Sequence, residues 1–509
     1  MTFRIDRRGF VAGSLATGTM ALFGPGALRA DENKMLRFGL SAYPPSFDMW
    51  ASTGTAAGTV KLMIHRGLLS YGKDGLLRGE LAETWDVDEN GVWTFNLRDA
   101  RFHDGKPVTA ADVKYTIEQV AAPDSTAFRR SQMALIDKIE TPDDKTVRLT
   151  TAEPIATVPH WFANFNMAIL QEGADKTSTV GAGPFKFDST ERGVKVVVTK
   201  NDDYYKPGLP KVAGIEVIVY SDENLRVAAL EAGDVDIIEY VPWAAMGRVE
   251  EDPNLKLDTV PGPFMYLTFN GSRKPFDNPL VRKAVGHAIK REDVVEAAFY
   301  GRGAPLHHLP LDPSSPFYNE DLAMGWDFDP EKAKALLAEA GHGDGFDCTM
   351  LSTAQYGMHQ STAEVSQAYL SMIGINVTLD LPDWSTRVQK GNEGQYDIAV
   401  MGTAAESNDP DGMTNVLDGS QKASFVRSFG ISIPAINEAL AKGRQSFDPA
   451  ERKKIYHGME STVIDQSPMV FLCSRAQGYG TAANVSGFKN LPGQLTFQSG
   501  VTLEDAMFG

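Results

Sequence analysis

The chain has 509 residues, of which 23% are charged and 9% aromatic, and a formal net charge of −17. That acidic balance argues against nucleic acid or an anionic membrane surface as a partner, and the length exceeds what one hydrophobic core serves, so two or three lobes are expected. Two cysteines, Cys348 and Cys473, are too few for a disulfide framework or a thiolate metal site; in the apolar runs FDCTML and MVFLCS, a single bridge and two buried thiols are both open readings.

The N-terminus reads as an export signal. A basic head (Arg4, Arg7, Arg8) precedes a short apolar stretch at 11–23 and the helix-breaking Gly24-Pro25-Gly26. Arg7-Arg8 followed by Gly9-Phe10-Val11 resembles the twin-arginine type, whose route carries folded proteins. Cleavage is expected after Ala30. It removes four arginines and one aspartate, so Lys+Arg falls from 49 to 45, Asp+Glu from 66 to 65, and the formal charge becomes about −20. No later run of about 18 apolar residues appears, so a soluble exported protein is expected.

Between about 60 and 180 the chain is β-rich, with VWTFNLR and KTVRLTT around a helix begun by Thr109 and Asp112; this reads as an inserted subdomain. Gly181-Ala182-Gly183 lacks the third glycine and the helix start of a dinucleotide loop and reads as a turn into a strand. GIEVIVY (214–220), a cap at Ser221-Asp222, a helix through Ala232, the stop Gly233 and VDIIEY (235–240) predict a parallel strand–helix–strand unit. Asn278-Pro279, Asp329-Pro330 and Asp448-Pro449 each open a further helix. A helix from about 361 to 372, the strand INVTLDL (375–381), a short helix at 384–390 and the strand YDIAVMG (396–402) repeat the unit. The fold class is α/β.

The last of these strands runs into MGTAAESNDPDG (401–412), which brings Glu406, Asp409 and Asp411 together. Carboxylates beyond the carboxyl end of a strand in an open α/β sheet stand where sites occur. They can grip a metal, act as an acid/base pair, hold a cationic ligand or solvate a turn, and Asn408-Asp409-Pro410-Asp411-Gly412 is also ordinary turn chemistry. Nucleophile-elbow, H-E-x-x-H and Walker A motifs are missing. His307-His308 are neighbours that point to opposite faces of an extended chain, which suggests a surface or capping role.

An ordered series of segments carries a resemblance that extends over nearly the whole mature chain. GELAETWDVDENGVWTFNLRDARFHDGKPVTAADVKYTIE (79–118), GAGPFKF (181–187), TKNDDYYKPGLPKVAGIEV (199–217), LRVAALEAGDVDI (225–237), FMYLTFNGSRKPFDNPLVRKAVGHAIKREDVVEAAFYGRGAP (264–305) and FDPEKAKALLAEAG (328–341) resemble extracellular solute-binding proteins of family 5, the peptide, dipeptide and nickel binders of ABC importers. The resemblance implies a periplasmic-binding-protein-like fold: two α/β lobes joined by a hinge of crossing strands. Lobe one is 31–268 plus 478–509, with the inserted subdomain at about 60–180, and lobe two is 269–477. Such a monomer encloses a solute by hinge closure in the periplasm and docks on a membrane permease, with no cofactor and no chemistry.

The resemblance also suggests site residues. Glu406, with Asp409 close behind, matches a carboxylate that holds a peptide's ammonium group, although aspartate is usual there. Trp384 in LPDWST matches a pocket aromatic, able to stack on a ligand or to pack in the core. Tyr43, in the loop after the first strand, is another expected wall. The run Ser352-Thr353-Ala354-Gln355-Tyr356 lacks the arginine with which dipeptide binders clamp a carboxylate, which leaves Tyr356 as its candidate contact. An oligopeptide held by its backbone, a modified amino acid such as an opine, or another amine-bearing solute is therefore expected. The alternative is a periplasmic hydrolase or metal-binding protein that uses the acids at 406–411.

Overall fold

The computed structural model describes residues 34–51, 54–313 and 315–509. The export signal at 1–30 lies outside them. No helix of the described residues is long and apolar enough to cross a membrane.

An eleven-stranded sheet organises the molecule, in the order 375–380, 346–351, 398–403, 255–269, 469–482, 237–238, 35–40, 214–219, 195–200 and 185–191, with 303–305 joined to 469–482. Its two regions are built alike. Met35–Leu40 pairs in parallel with Gly214–Val219 and with Ile237–Ile238; Phe346–Leu351 pairs in parallel with Ile375–Asp380 and with Ile398–Thr403. Both strand–helix–strand units exist with their helices, Glu223–Glu231 and Trp384–Asn392. In each, however, a third strand lies between the two expected as neighbours. Local periodicity fixes the strands and their crossover but not which distant strand fills the gap.

The regions are joined by Leu255–Phe269 and Met469–Ala482, antiparallel from Leu255↔Ala482 to Thr268↔Met469. Their register breaks between Pro261 and Phe264, where proline has no N–H for the ladder. Gly262 passes so close to the chain that a Cβ there would stand 2.2 Å from the Gly493 carbonyl oxygen. The buried apolar side chains form separate clusters. One draws on 264–473, another on 49–182 with Leu491, Leu495 and Val501, and a third on 36–64, 185–237 and 479–508.

Within 82–151 an antiparallel sheet runs in the order 82–87, 93–97, 146–151 and 136–143. The helix Ala110–Ala121 beside it begins with a reciprocal cap between Thr109 and Asp112. The caps read from sequence form elsewhere too: Asn278, Asp329 and Asp448 accept from the backbone N–H of Leu280, Lys332 and Ala450, each at 2.9 Å. The helix expected from 361 starts earlier, as Gly357–Ser371; its first turn has no side-chain cap, so it carries no start signal. Gly181 and Gly183 pack on the end of the helix Thr55–Ile64, where a Cβ on Gly181 would stand 2.0 Å from the Ile64 carbonyl oxygen. Cys348 and Cys473 are unbridged and buried, and burial pushes both thiols up to about 12.

Candidate functional site

Beyond Ile398–Thr403 the chain turns through Pro410–Met413 into the helix Thr414–Leu417. Asp409 caps that turn by accepting from the Asp411 N–H at 2.9 Å and pairs with Arg452 at 2.8 Å. Asp411 takes both Nε and Nη2 of Arg444, at 3.0 and 2.8 Å, and the Thr157 hydroxyl at 2.9 Å. Glu406 accepts from Arg129 and from Asn415. Although burial opposes their charge, Asp409 and Asp411 hold the Arg452 and Arg444 guanidinium groups above their ordinary range.

The three carboxylates line a cavity of about 470 Å³, and each already has an arginine. Such pairs satisfy one another. No cluster of three or more His, Cys, Asp or Glu fit for a metal exists among the described residues. The contacts also form a seam, because Arg129 and Thr157 belong to the 49–182 region. The Ala156 N–H donates across it to the Arg444 carbonyl at 2.7 Å.

A larger cleft, of about 890 Å³, is lined from 41, 221–244, 297–300, 355–361, 384, 402 and 475. Trp384 opens its helix, its N–H held by Gln355 Oε1 at 3.0 Å. Its ring meets Tyr356 and His359 edge-to-face, with centroids 5.4 and 5.5 Å away. Trp243 opens the helix Trp243–Glu251 and donates from Nε1 to the Ala476 carbonyl at 2.7 Å. Tyr240 holds φ at 54°, an uncommon value for a residue with a side chain, and stacks on Phe497. Arg226 fixes this wall by donating to the carbonyls of Tyr220, Glu239 and Tyr240 at 2.7, 2.9 and 2.9 Å.

Arg475 also lines the cleft and is spent on nothing comparable. It is 5% exposed, lies over the Trp243 ring with its guanidinium carbon 5.7 Å from the centroid, and makes a 3.5 Å contact from Nη1 to Met358 Sδ. Its Nε has no hydrogen-bond partner among the described residues. His359 is 2% exposed; burial, and then the charges of Arg387 and Arg475, push its pKa down to about 3. The ring is therefore neutral, and its Nδ1 is unpartnered as well.

Of the residues singled out from sequence, Trp384 and Tyr356 thus meet in the cleft. Glu406 and Asp409 sit in the ion-paired loop and do not line it. Tyr43 does not line it either: its hydroxyl bonds Thr190 Oγ1 at 2.8 Å and it packs on the third apolar cluster. Of the surface or capping role expected of His307 and His308, the surface alternative does not hold. Both are buried, His307 against the Trp326 carbonyl at 2.9 Å and His308 beside Glu460 at 3.3 Å. Arg475, His359 and Trp243 escaped the sequence reading. For Arg475 a signal existed: one charge stands alone in the buried strand MVFLCSRAQGYGTA, and an unpaired buried arginine is rare.

A family model described as bacterial extracellular solute-binding proteins, family 5, middle, matches residues 77–425. The glutathione-binding protein GsiB of Escherichia coli (strain K12) is 28% identical over 523 aligned positions that cover 99% of each chain. Among solved structures, that of the binding protein AgaA from A. tumefaciens R10 in complex with agropinic acid is similar with a TM-score of 0.82 and 41% identity, over 94% of this chain and 99% of that one. The periplasmic binding protein DppA of Helicobacter pylori, in complex with the peptide STSA, has a TM-score of 0.78 at 24% identity, over 94% and 98% of the two chains, a likeness of fold.

Proposed function

The chain belongs to the bacterial extracellular solute-binding proteins, family 5, and from that premise we propose that it captures an opine-like or peptide-like solute in the cleft beside Trp384 and presents it unaltered to the permease of an ABC importer. One observation carries the reading: an aromatic-lined cleft of about 890 Å³, drawn from both regions of the sheet, in which buried polar groups lack protein partners. Clefts of this size with a few convergent polar groups suit small-molecule capture. The similarity to AgaA, solved with agropinic acid, and to the glutathione-binding protein GsiB supports an opine or a short peptide.

In this reading the protein works as a monomer in the periplasm. Lobe one is 31–268 with 478–509, the subdomain at about 60–180 is inserted in it, and lobe two is 269–477. The separate apolar clusters support that division, and the broken register near Pro261–Phe264 supports a hinge there. Trp384 and Tyr356 touch the solute. Glu406 and Asp411 instead reach Arg129 and Thr157 of lobe one and latch the lobes together on closure; Asp409 braces that loop through Arg452.

The test is native mass spectrometry of the exported protein, purified without chelator and then denatured. A single organic solute released on denaturation is the expected result. A retained metal ion without an organic solute, or hydrolysis of the released solute by the protein, contradicts the proposal.

A further inference from the structure

We propose that Arg475 receives a carboxylate of the solute, so that this protein takes an acid bound by its anionic end at the hinge strand rather than an amine bound at Glu406. The inference rests on the cleft being the solute site.

A guanidinium offers five donors in a planar fork that matches a carboxylate. Among the described residues, that of Arg475 is buried, unpaired, and engaged only by a thioether sulfur and an indole face. Burial of a charge without a counter-ion is strongly unfavourable, so a fold keeps such a group where a partner arrives later. On its other edge the residue is anchored: Arg475 lies opposite Gly303 in the strand pair, and Trp243 under the guanidinium is itself tied to the next residue, Ala476.

Two further features suit an anion. The helix Gly357–Ser371 brings its first turn to the same cleft with no side-chain cap on its N–H groups, and the positive end of a helix favours negative charge. His359, neutral and buried, offers Nδ1 beside it. The other guanidinium of the cleft, Arg226, is used up on three carbonyls. The acids of the cleft, Asp222 and Glu223, are exposed, and Asp222 already caps its own helix. One free guanidinium with a neutral imidazole fits a singly charged, two-oxygen group better than a phosphate dianion.

The experiment titrates agropinic acid and glutathione into wild-type protein, Arg475→Gln and Arg475→Lys by calorimetry, alongside identification of the solute that co-purifies. The expected result is a carboxylate-bearing solute bound about 100-fold more weakly by Arg475→Gln and about 10-fold more weakly by Arg475→Lys. The melting temperature of the solute-free Arg475→Gln protein should stay at or above that of the wild type. Affinity of Arg475→Gln within about 3-fold of wild type overturns the proposal, as does a much lower melting temperature of the empty variant, which makes the guanidinium a structural group. A co-purified solute without a carboxylate overturns it while leaving capture in the cleft intact. If neither probe binds and no solute is released, the proposal and the solute-capture reading fail together.

Discussion

The acidic loop at 406–411 and the cleft beside Trp384 both concentrate charge, but they handle it in opposite ways. In the loop each carboxylate has its arginine: Glu406 with Arg129, Asp409 with Arg452, Asp411 with Arg444. In the cleft Arg475 Nε and His359 Nδ1 are buried without a hydrogen-bond partner among the described residues. A saturated network resists change, because any partner removed leaves a charge stranded; an unsaturated one is unfavourable until something completes it. Charge density alone therefore does not distinguish the two regions, and the balance of partners does.

Substitutions can break that contrast or sharpen it. The largest effect is expected at Asp409, since Asp409→Ala strands Arg452, whose side chain is mostly buried. The variant should lose about 3 kcal/mol of stability in urea or thermal unfolding, with solute affinity within about 3-fold of wild type. A large loss of affinity at unchanged stability would move the loop into the site. Trp384→Ala should do the reverse, with about 2 kcal/mol less binding energy, roughly 30-fold in Kd, and a small change in unfolding.

Acid separates the two regions further. His359 has an ordinary pKa of 6.5 and one of about 3 in the fold, so it stays neutral while the unfolded chain takes up the proton. Its contribution is present above pH 6.5 and is lost as pH falls from there toward 3, and the loss reaches about 1.4 kcal/mol at pH 5.5. His359→Gln should flatten that part of the stability–pH curve, and an unchanged curve would show that the imidazole is not held neutral. The smallest effect is expected at Glu406. Glu406→Gln keeps an acceptor for Arg129 and Asn415 but weakens the seam by about 1 kcal/mol or less, seen as solute leaving up to about five times faster from a protein whose empty form melts almost unchanged.

What could be read in advance follows the range of the interactions. Caps at Asn278, Asp329 and Asp448, the stops at glycine, and the crossover helices are local, and their residues announce them. Strand neighbours are not local, so Met35–Leu40 and Phe346–Leu351 could not be foreseen inside their units. The same limit governs the site. Glu406, Asp409 and Asp411 were visible as a cluster because they are adjacent, whereas the arginines that neutralise them stand at 129, 444 and 452. Trp384 and Tyr356 were visible as single aromatics but not as a pair in contact. Arg475 was legible only as a charge out of place in an apolar strand; its meaning needed Trp243, Met358 and His359, which come from two other parts of the chain.

The most direct measurement is a crystal structure of the protein loaded with the solute that co-purifies with it. The solute should lie against Trp384 and Tyr356 with a carboxylate on Arg475, while Glu406, Asp409 and Asp411 keep their arginines. A solute bound to Glu406 or Asp409, with Arg475 untouched, would contradict the account.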